Sequence, residues 1–252
     1  MKFFKGIFFA SLLPAFVLTV SPVLAAPVTW SMAMDITGDA DVLVSGSLVG
    51  AYNVGDGGVP AATVNGVTFA PFALNSSGGP VSSGTAGDFT LATADIFASS
   101  NTAYGSTAAP FTSQSAAYQA LLASATITSA PATFTLTITG LNVGNDYQFQ
   151  WFANTSGAGS QSHRVTSGNG RTILDNASGA DGDLGQFAVG SFVADASSQV
   201  FTFSSVPPLF GFAQLNAFQL RDLTPIPEPA SALLSFVGMG MVACRRTRPK
   251  AS

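Results

Sequence analysis

The chain is poor in the residues that carry most enzyme chemistry. Its 252 residues include one cysteine, Cys244, one histidine, His163, and one glutamate, Glu228. A single cysteine excludes an intrachain disulfide and any Cys-based zinc centre. A Ser-His-Asp triad would have to use His163, which stands in the polar stretch GAGSQSHRVTSGNG beside Arg164, the setting of a surface loop. Paired carboxylates for glycoside hydrolysis would have to be aspartates. No G-x-S-x-G elbow, G-x-G-x-x-G turn or P-loop occurs.

Charge is scarce as well. Charged residues make up 9%, against about a quarter in ordinary soluble domains. Six of the nine cations, Lys2, Lys5, Arg245, Arg246, Arg248 and Lys250, lie in the terminal segments. Between them stand Arg164, Arg171 and Arg221 against twelve aspartates, a body near −9 inside a chain of net −4. Such a body lacks the basic stripe that nucleic-acid binding requires. It fits an exported protein kept soluble by acidic and small polar groups.

The ends are organised differently. Lys2 and Lys5 precede an apolar stretch from Gly6 to Val20, and SPVLAA follows with Val23 and Ala25 at the −3 and −1 positions of a cleavage site. This is the pattern of a secretory signal, residues 1–25, cleaved after Ala25 or Ala26. An uncleaved N-terminal anchor is the alternative, and Pro14 argues against it. At the other end, residues 225–252, Pro227-Glu228-Pro229 precedes an apolar run, Ala230–Cys244, and then Arg245, Arg246 and Arg248. As a helix that run would span about 22 Å at ~1.5 Å per residue, short of the ~30 Å hydrocarbon layer. The arginines mark its cytoplasmic side. The two prolines hold the peptide extended, the form in which proteases and transpeptidases bind substrates.

The three-part tail resembles the PEP-CTERM sorting signal of bacterial exopolysaccharide-associated proteins, a tail also described as the C-terminal domain of ice-binding proteins. The resemblance implies export by the secretion machinery, transient insertion in the inner membrane, and recognition at Pro227, Glu228 and Pro229 by an exosortase. That enzyme is an integral-membrane, transpeptidase-like partner that would bring the catalytic residues itself. A plain C-terminal anchor is the alternative. The regular threonine ranks that ice binding would use are not seen.

Between the ends the period is two. ATFTLTITGL (Ala132–Leu141) alternates Phe134, Leu136 and Ile138 with threonines, and YQFQWFA sets Tyr147, Phe149 and Trp151 on one face. Further strands are expected at Val28–Ile36, Asp41–Leu48, Thr63–Phe69 around Asn65-Gly66, and Arg171–Leu174. Others are expected at Phe187–Val193, Gln199–Ser204 and Leu215–Leu223. The one helix is SQSAAYQALLAS, with Tyr118, Leu121 and Leu122 at helical spacing. Residues 75–110, rich in Ser, Gly, Ala and Thr, read as long surface loops. The expectation is all-β: one β-sandwich or jelly roll over 26–224 with one short helix, between a signal helix and a C-terminal hydrophobic helix. The body also resembles uncharacterised passengers of such tails. ITGDADVLVSGSLVGAYNVG, TVNGVTF, LTITGLNVGNDYQFQWF, GQFAVGSFVADASSQVFTF and AQLNAFQLRDL carry that likeness. It implies a galactose-binding-like jelly roll in which a late strand near Asn216–Leu220 pairs back near the first, and it implies no established activity.

The candidate chemistry is thin. Asp39/Asp41 and Asp181/Asp183 are close pairs in turn-like sequence, and DNASGADGD (Asp175–Asp183) offers oxygens for Ca²⁺ without the spacing of a known calcium loop. Trp151 reads as core, and Trp30, near a sheet edge, is the candidate glycan platform. Arg221 adjoins Asp222, and strand neighbours point apart, so its carboxylate partner should be another aspartate. The leading expectation is a non-enzymatic structural or adhesive protein of an extracellular polysaccharide matrix or cell surface. The rivals are a carbohydrate-binding jelly roll, calcium-supported or not, and an aspartate-dependent hydrolase.

Overall fold

The computed structural model describes residues 26–74, 81–128, 133–157, 164–167, 172–175, 179–205 and 212–225. The signal segment, the sorting tail with its Pro227-Glu228-Pro229 and arginine cluster, His163 and Arg171 lie outside them, and so do the two expected terminal helices.

In chain order the strands are β1 (Thr29–Trp30), β2 (Met34–Asp35), β3 (Ser47–Gly55), β4 (Ala62–Val64), β5 (Val67–Ala73), β6 (Val81–Ala86) and β7 (Phe89–Ser100). The helix α1 (Ala116–Ala123) follows, then β8 (Ala125–Thr128), β9 (Thr133–Ile138), β10 (Asp146–Ala153), β11 (Arg164–Ser167) and β12 (Ile173–Asp175). Last come β13 (Gln186–Val193), β14 (Gln199–Ser205), β15 (Ala213–Leu215) and β16 (Ala217–Asp222). They form two sheets in a sandwich-like layout. One runs β1-β13-β10-β16-β3-β5-β4 with β2 also on β13; the other runs β12-β11-β14-β9-β7-β8-β15 with β6 on β7. Every pair is antiparallel except β3 with β5.

The alternation of β10 builds the core. Tyr147, Phe149 and Trp151 point inward and meet the inward residues of β14 and β9. Phe149 stacks on Phe201 at 4.1 Å between centroids, and Trp151 meets Phe203 edge-on at 4.9 Å. Each such pair adds ~0.5–1.5 kcal/mol to the area its rings bury. On the outer face, Phe152 is buried too, because α1 and the β4–β5 hairpin cover it with Tyr118, Leu122 and Phe69 in a second cluster. The hairpin is the Asn-Gly type: Asn65 and Gly66 both take positive φ, 49° and 75°, the conformation a two-residue turn between twisted strands demands. The helix begins where Ser115 accepts the Tyr118 N–H, a side-chain cap.

Several expectations shift. Residues 75–110 are not all loop: β6 and β7 lie there, and β7 is a central strand between β9 and β6/β8. Its apolar residues Phe89, Leu91 and Phe97 are buried, but Thr93 and Asp95 interrupt the alternation, so composition hid it. The strand expected at Asp41–Leu48 begins at Ser47, because the Asp41 carboxylate accepts from Thr37 N, Thr37 Oγ1 and Gly38 N and closes a turn over Asp39–Asp41. Val28–Ile36 breaks into two short edge pieces on β13.

Leu215–Leu223 divides at Asn216, where the chain leaves one sheet for the other. The late strand β16 therefore lies beside β3, the first long strand, and not beside β1. The crossing is held by buried polar groups. Asn216 Nδ2 donates to the carbonyls of Leu122 (2.8 Å), Ser124 (2.8 Å) and Asn154 (3.1 Å). Its Oδ1 accepts from Asn154 N (2.8 Å) and Gln214 Nε2 (3.0 Å). A buried amide with its donors and acceptor satisfied rigidifies the crossing, whereas an unpaired one would cost dearly.

Arg221 corrects another expectation. It is buried, and its partners are backbone carbonyls of Val44, Ser45 and Gly46 together with Gln219 Oε1, not an aspartate. Burial lowers the guanidinium below its ordinary range. Gln150 and Gln219 continue the row by holding Asp41 and Leu43 through their main-chain atoms. The 43–46 segment is thus strapped across the outer face of β10 and β16.

The register fixes two poles. β10 and β3 begin, and β13 and β16 end, at one of them. The chain enters beside it at Thr29, opposite Ser191, and leaves it past Asp222, opposite Tyr147. Across the sheet, Thr29, Ser191, Gln148 and Arg221 stand in one row, about 14 Å at ~4.8 Å per strand.

Candidate binding cleft

The opposite pole carries an acidic concavity. A cleft of about 580 Å³ is lined by Asp35, Asp175 and Asp183 with Thr37, Gln114 and Gln186. These come from the end of β2, the end of β12, the loop before β13 and the segment before α1, so sequence gave no signal that they share a surface. Gln186 ties two of them: its Nε2 donates to Asp35 Oδ1 (2.8 Å) and its Oε1 accepts from Asp175 N (2.9 Å). Arg164 stands opposite Asp175 in the β11–β12 register. Chemically, the cleft presents acceptors to hydroxyl or amide donors.

Of the two sequence pairs, Asp39, Asp41 and Asp181 have hydroxyl or main-chain partners of their own. Asp39 accepts from Ser115 Oγ (2.7 Å) at the start of α1, and Asp41 closes its own turn and receives the Tyr118 hydroxyl at 3.4 Å. Burial, then the charge and hydrogen bond of Asp41, raise the Tyr118 phenol far above its ordinary value. Asp181 and Asp183 part company. Asp183 lines the acidic cleft, whereas Asp181 accepts from Ser106 Oγ (2.6 Å) and faces a neighbouring hollow of about 470 Å³ with Thr102 and Phe111. Gly182 divides them. Its N–H donates to Ser156 O and its carbonyl accepts from Phe111 N, both at 2.8 Å, at φ +83°. Asp181 and Asp183 thus line different hollows, and residues 176–178 of the DNASGADGD stretch lie outside the described residues. Among the described residues no group of three or more His, Cys, Asp or Glu side chains is placed to hold a metal ion.

Gly182 also makes a test. A methyl there would sit 2.5 Å from Ala109 O and 2.7 Å from Ala108 C, main-chain atoms that cannot swing aside. Gly182→Ala is therefore expected to cost at least about 2 kcal/mol in urea unfolding, from the left-handed backbone and the contact together. Chelator should leave the wild-type curve unmoved; a calcium-dependent midpoint shift would contradict the structural reading of this turn.

Trp30, the candidate platform, is half-buried and packs against the main core. Its ring meets Phe149 at 6.3 Å and Phe201 at 6.0 Å, both edge-on, and lies over Gly190, where a Cβ would come 2.9 Å from it. The glycine on β13 is the seat for the indole. Trp151 is fully buried, as its strand face predicts. Tyr104, pushed up to about 12 by burial, offers its carbonyl to Asn154 Nδ2 and Ser156 N. At the chain-exit pole, burial works to raise Asp222, but hydrogen bonds from Asn145, Thr224 and Tyr147 outweigh it and hold the carboxyl below its usual range. Comparison of the chain with family models, curated proteins and solved structures finds no match.

Proposed function

We propose that this chain is an exported, exosortase-sorted protein with a non-catalytic structural or adhesive role in an extracellular polysaccharide matrix or at the cell surface. Its body, residues 26–224, acts as one jelly-roll-like passenger. The observation that carries the reading is the three-part tail, Pro227-Glu228-Pro229, Ala230–Cys244 and the arginines, set directly behind the last docked residue of the fold. Thr224 donates its N–H to Asp222 Oδ1 (2.8 Å) and its hydroxyl oxygen accepts Asp146 N (3.1 Å). Two residues then lead to the motif. A body free of lysine and cysteine, in which Asp39, Asp41 and Asp181 are engaged in turns and a helix start, supports a passenger more than an enzyme.

The N-terminal cut is also constrained. Ala26 is buried in the main cluster, and its carbonyl accepts from buried Gln199 Nε2 (3.1 Å). Cleavage after Ala25 keeps that anchor; cleavage after Ala26 removes it. Intact mass of the secreted protein is expected to show a chain beginning at Ala26 and lacking Ala230–Ser252, and Glu228→Ala should retain the tail. A secreted form still carrying Ala230–Ser252 defeats the sorting reading and leaves a plain anchor.

A second reading is a carbohydrate-binding jelly roll, favoured by the convergence of Asp35, Asp175, Asp183, Gln114 and Gln186 on one cleft. Carboxylates and amides are the groups that accept from and donate to sugar hydroxyls. Saturable retention of the isolated body on matrix polysaccharide is the measurement that would favour it.

A further inference from the structure

We propose that, while its tail is in the membrane, the body rests with its chain-exit pole against the bilayer surface, with Val143 and Val193 at headgroup level. This rests on the reading of the tail as membrane-inserted.

The tether is short and starts from a fixed point. Leu223 N donates to Asp146 O (2.8 Å), and Thr224 is held on both sides as described. From Thr224 to Ala230, the first residue of the apolar run, there are six chain steps, at most about 20 Å when extended. An eight-residue strand such as β10 is itself about 26 Å long at ~3.3 Å per residue. The distal pole with the acidic cleft therefore cannot be brought round to the membrane on this leash. The N-terminal exit at Ala26–Thr29 lies at the same pole, so an uncleaved signal segment would hold the body in the same orientation.

The surface at that pole is suited to the contact. Of the nine exposed large apolar side chains among the described residues, five lie in this half: Val143 (64% exposed), Val44, Val193, Leu48 and Val49. Val193 stands opposite Asp146, whose main chain holds Leu223 and Thr224, so it flanks the point where the chain leaves. The same pole exposes Asp88, Asp146 and Asp195, and the nearest described cation, Arg221, is buried. The surface fits neutral headgroups, and contact should weaken as anionic lipid is added.

The Cys-free body makes the test direct. In the full chain carrying Cys244→Ser, a fluorophore is attached at Val143→Cys, Val193→Cys or, at the distal pole, Thr107→Cys. The protein is reconstituted in phosphatidylcholine vesicles containing a headgroup-located quencher. Labels at 143 and 193 are expected to be quenched several-fold more than the label at 107. Equal quenching in a chain that floats with the vesicles overturns the orientation alone. A chain that does not float overturns the membrane reading of the tail and the orientation with it. Quenching contrast that arises only when an exosortase is co-reconstituted also overturns the proposal, and assigns the pole to a protein partner.

Discussion

Replacing Asn216 by alanine is expected to lower the unfolding free energy by about 4 kcal/mol, because two buried main-chain groups lose their partners at ~1–3 kcal/mol each. The groups are the carbonyl of Ser124 and the N–H of Asn154, which the Asn216 side chain serves from its two ends. The carbonyls of Leu122 and Asn154 keep second donors, Asn154 Nδ2 and Gln214 Nε2, so the loss stops short of the whole network. Asn216→Asp should fare no better. It keeps the acceptor for Asn154 N but turns a carboxylate toward the carbonyls of Leu122 and Ser124 at a fully buried position. Urea unfolding of the body checks both variants, and loss of under about 1 kcal/mol in Asn216→Ala would mean that the crossing is held by packing alone.

Phe218→Ala is expected to cost ~3–5 kcal/mol, two residues further on, inside β16. Phe218 is fully buried, and four rings surround it: Tyr52 at 5.5 Å, Phe89 at 5.6 Å, Phe72 at 6.0 Å and Phe149 at 6.0 Å. Those rings come from β3, β7, β5 and β10, so the space left by a methyl cannot be filled by moving one neighbour. Without a disulfide, nothing covalent limits the unfolded chain, and the loss should appear in full in the denaturation midpoint. A cost near 1 kcal/mol would show that the sheets close over the gap.

The two variants flank Ala217, and the contrast between them shows what is legible locally. Phe218 is readable: an aromatic at period two in an apolar strand points at a core. Asn216 is not, since an asparagine inside AQLNAFQL looks like a strand residue facing solvent. Its role depends on Leu122, Ser124 and Asn154, which are 62 or more positions away.

The same division runs through the candidate site. That Asp39, Asp41, Asp181 and Asp183 sit in turns was readable from the Gly, Ala and Asp around them. That Ser115, Thr37 and Ser106 would occupy three of them, and that Gly182 would send the fourth into a cleft with Asp35 and Asp175, was not. Arg221 went to main-chain carbonyls because the 43–46 segment folds over it, and a one-strand argument has no access to that segment.

By itself the sequence determined the class of structure: a cysteine-free, acidic, strand-rich body with an Asn-Gly hairpin, one capped helix and two terminal segments of contrasting composition. Period and turn chemistry are properties of a few neighbouring residues, so they survive reading in isolation. Tertiary structure decided the rest: the centrality of β7, the second burial of Phe152, the crossing at Asn216 and the meeting of three distant aspartates. Each depends on which remote segment supplies the other half of a contact, and a strand's own alternation records that it has two faces but not what will cover them.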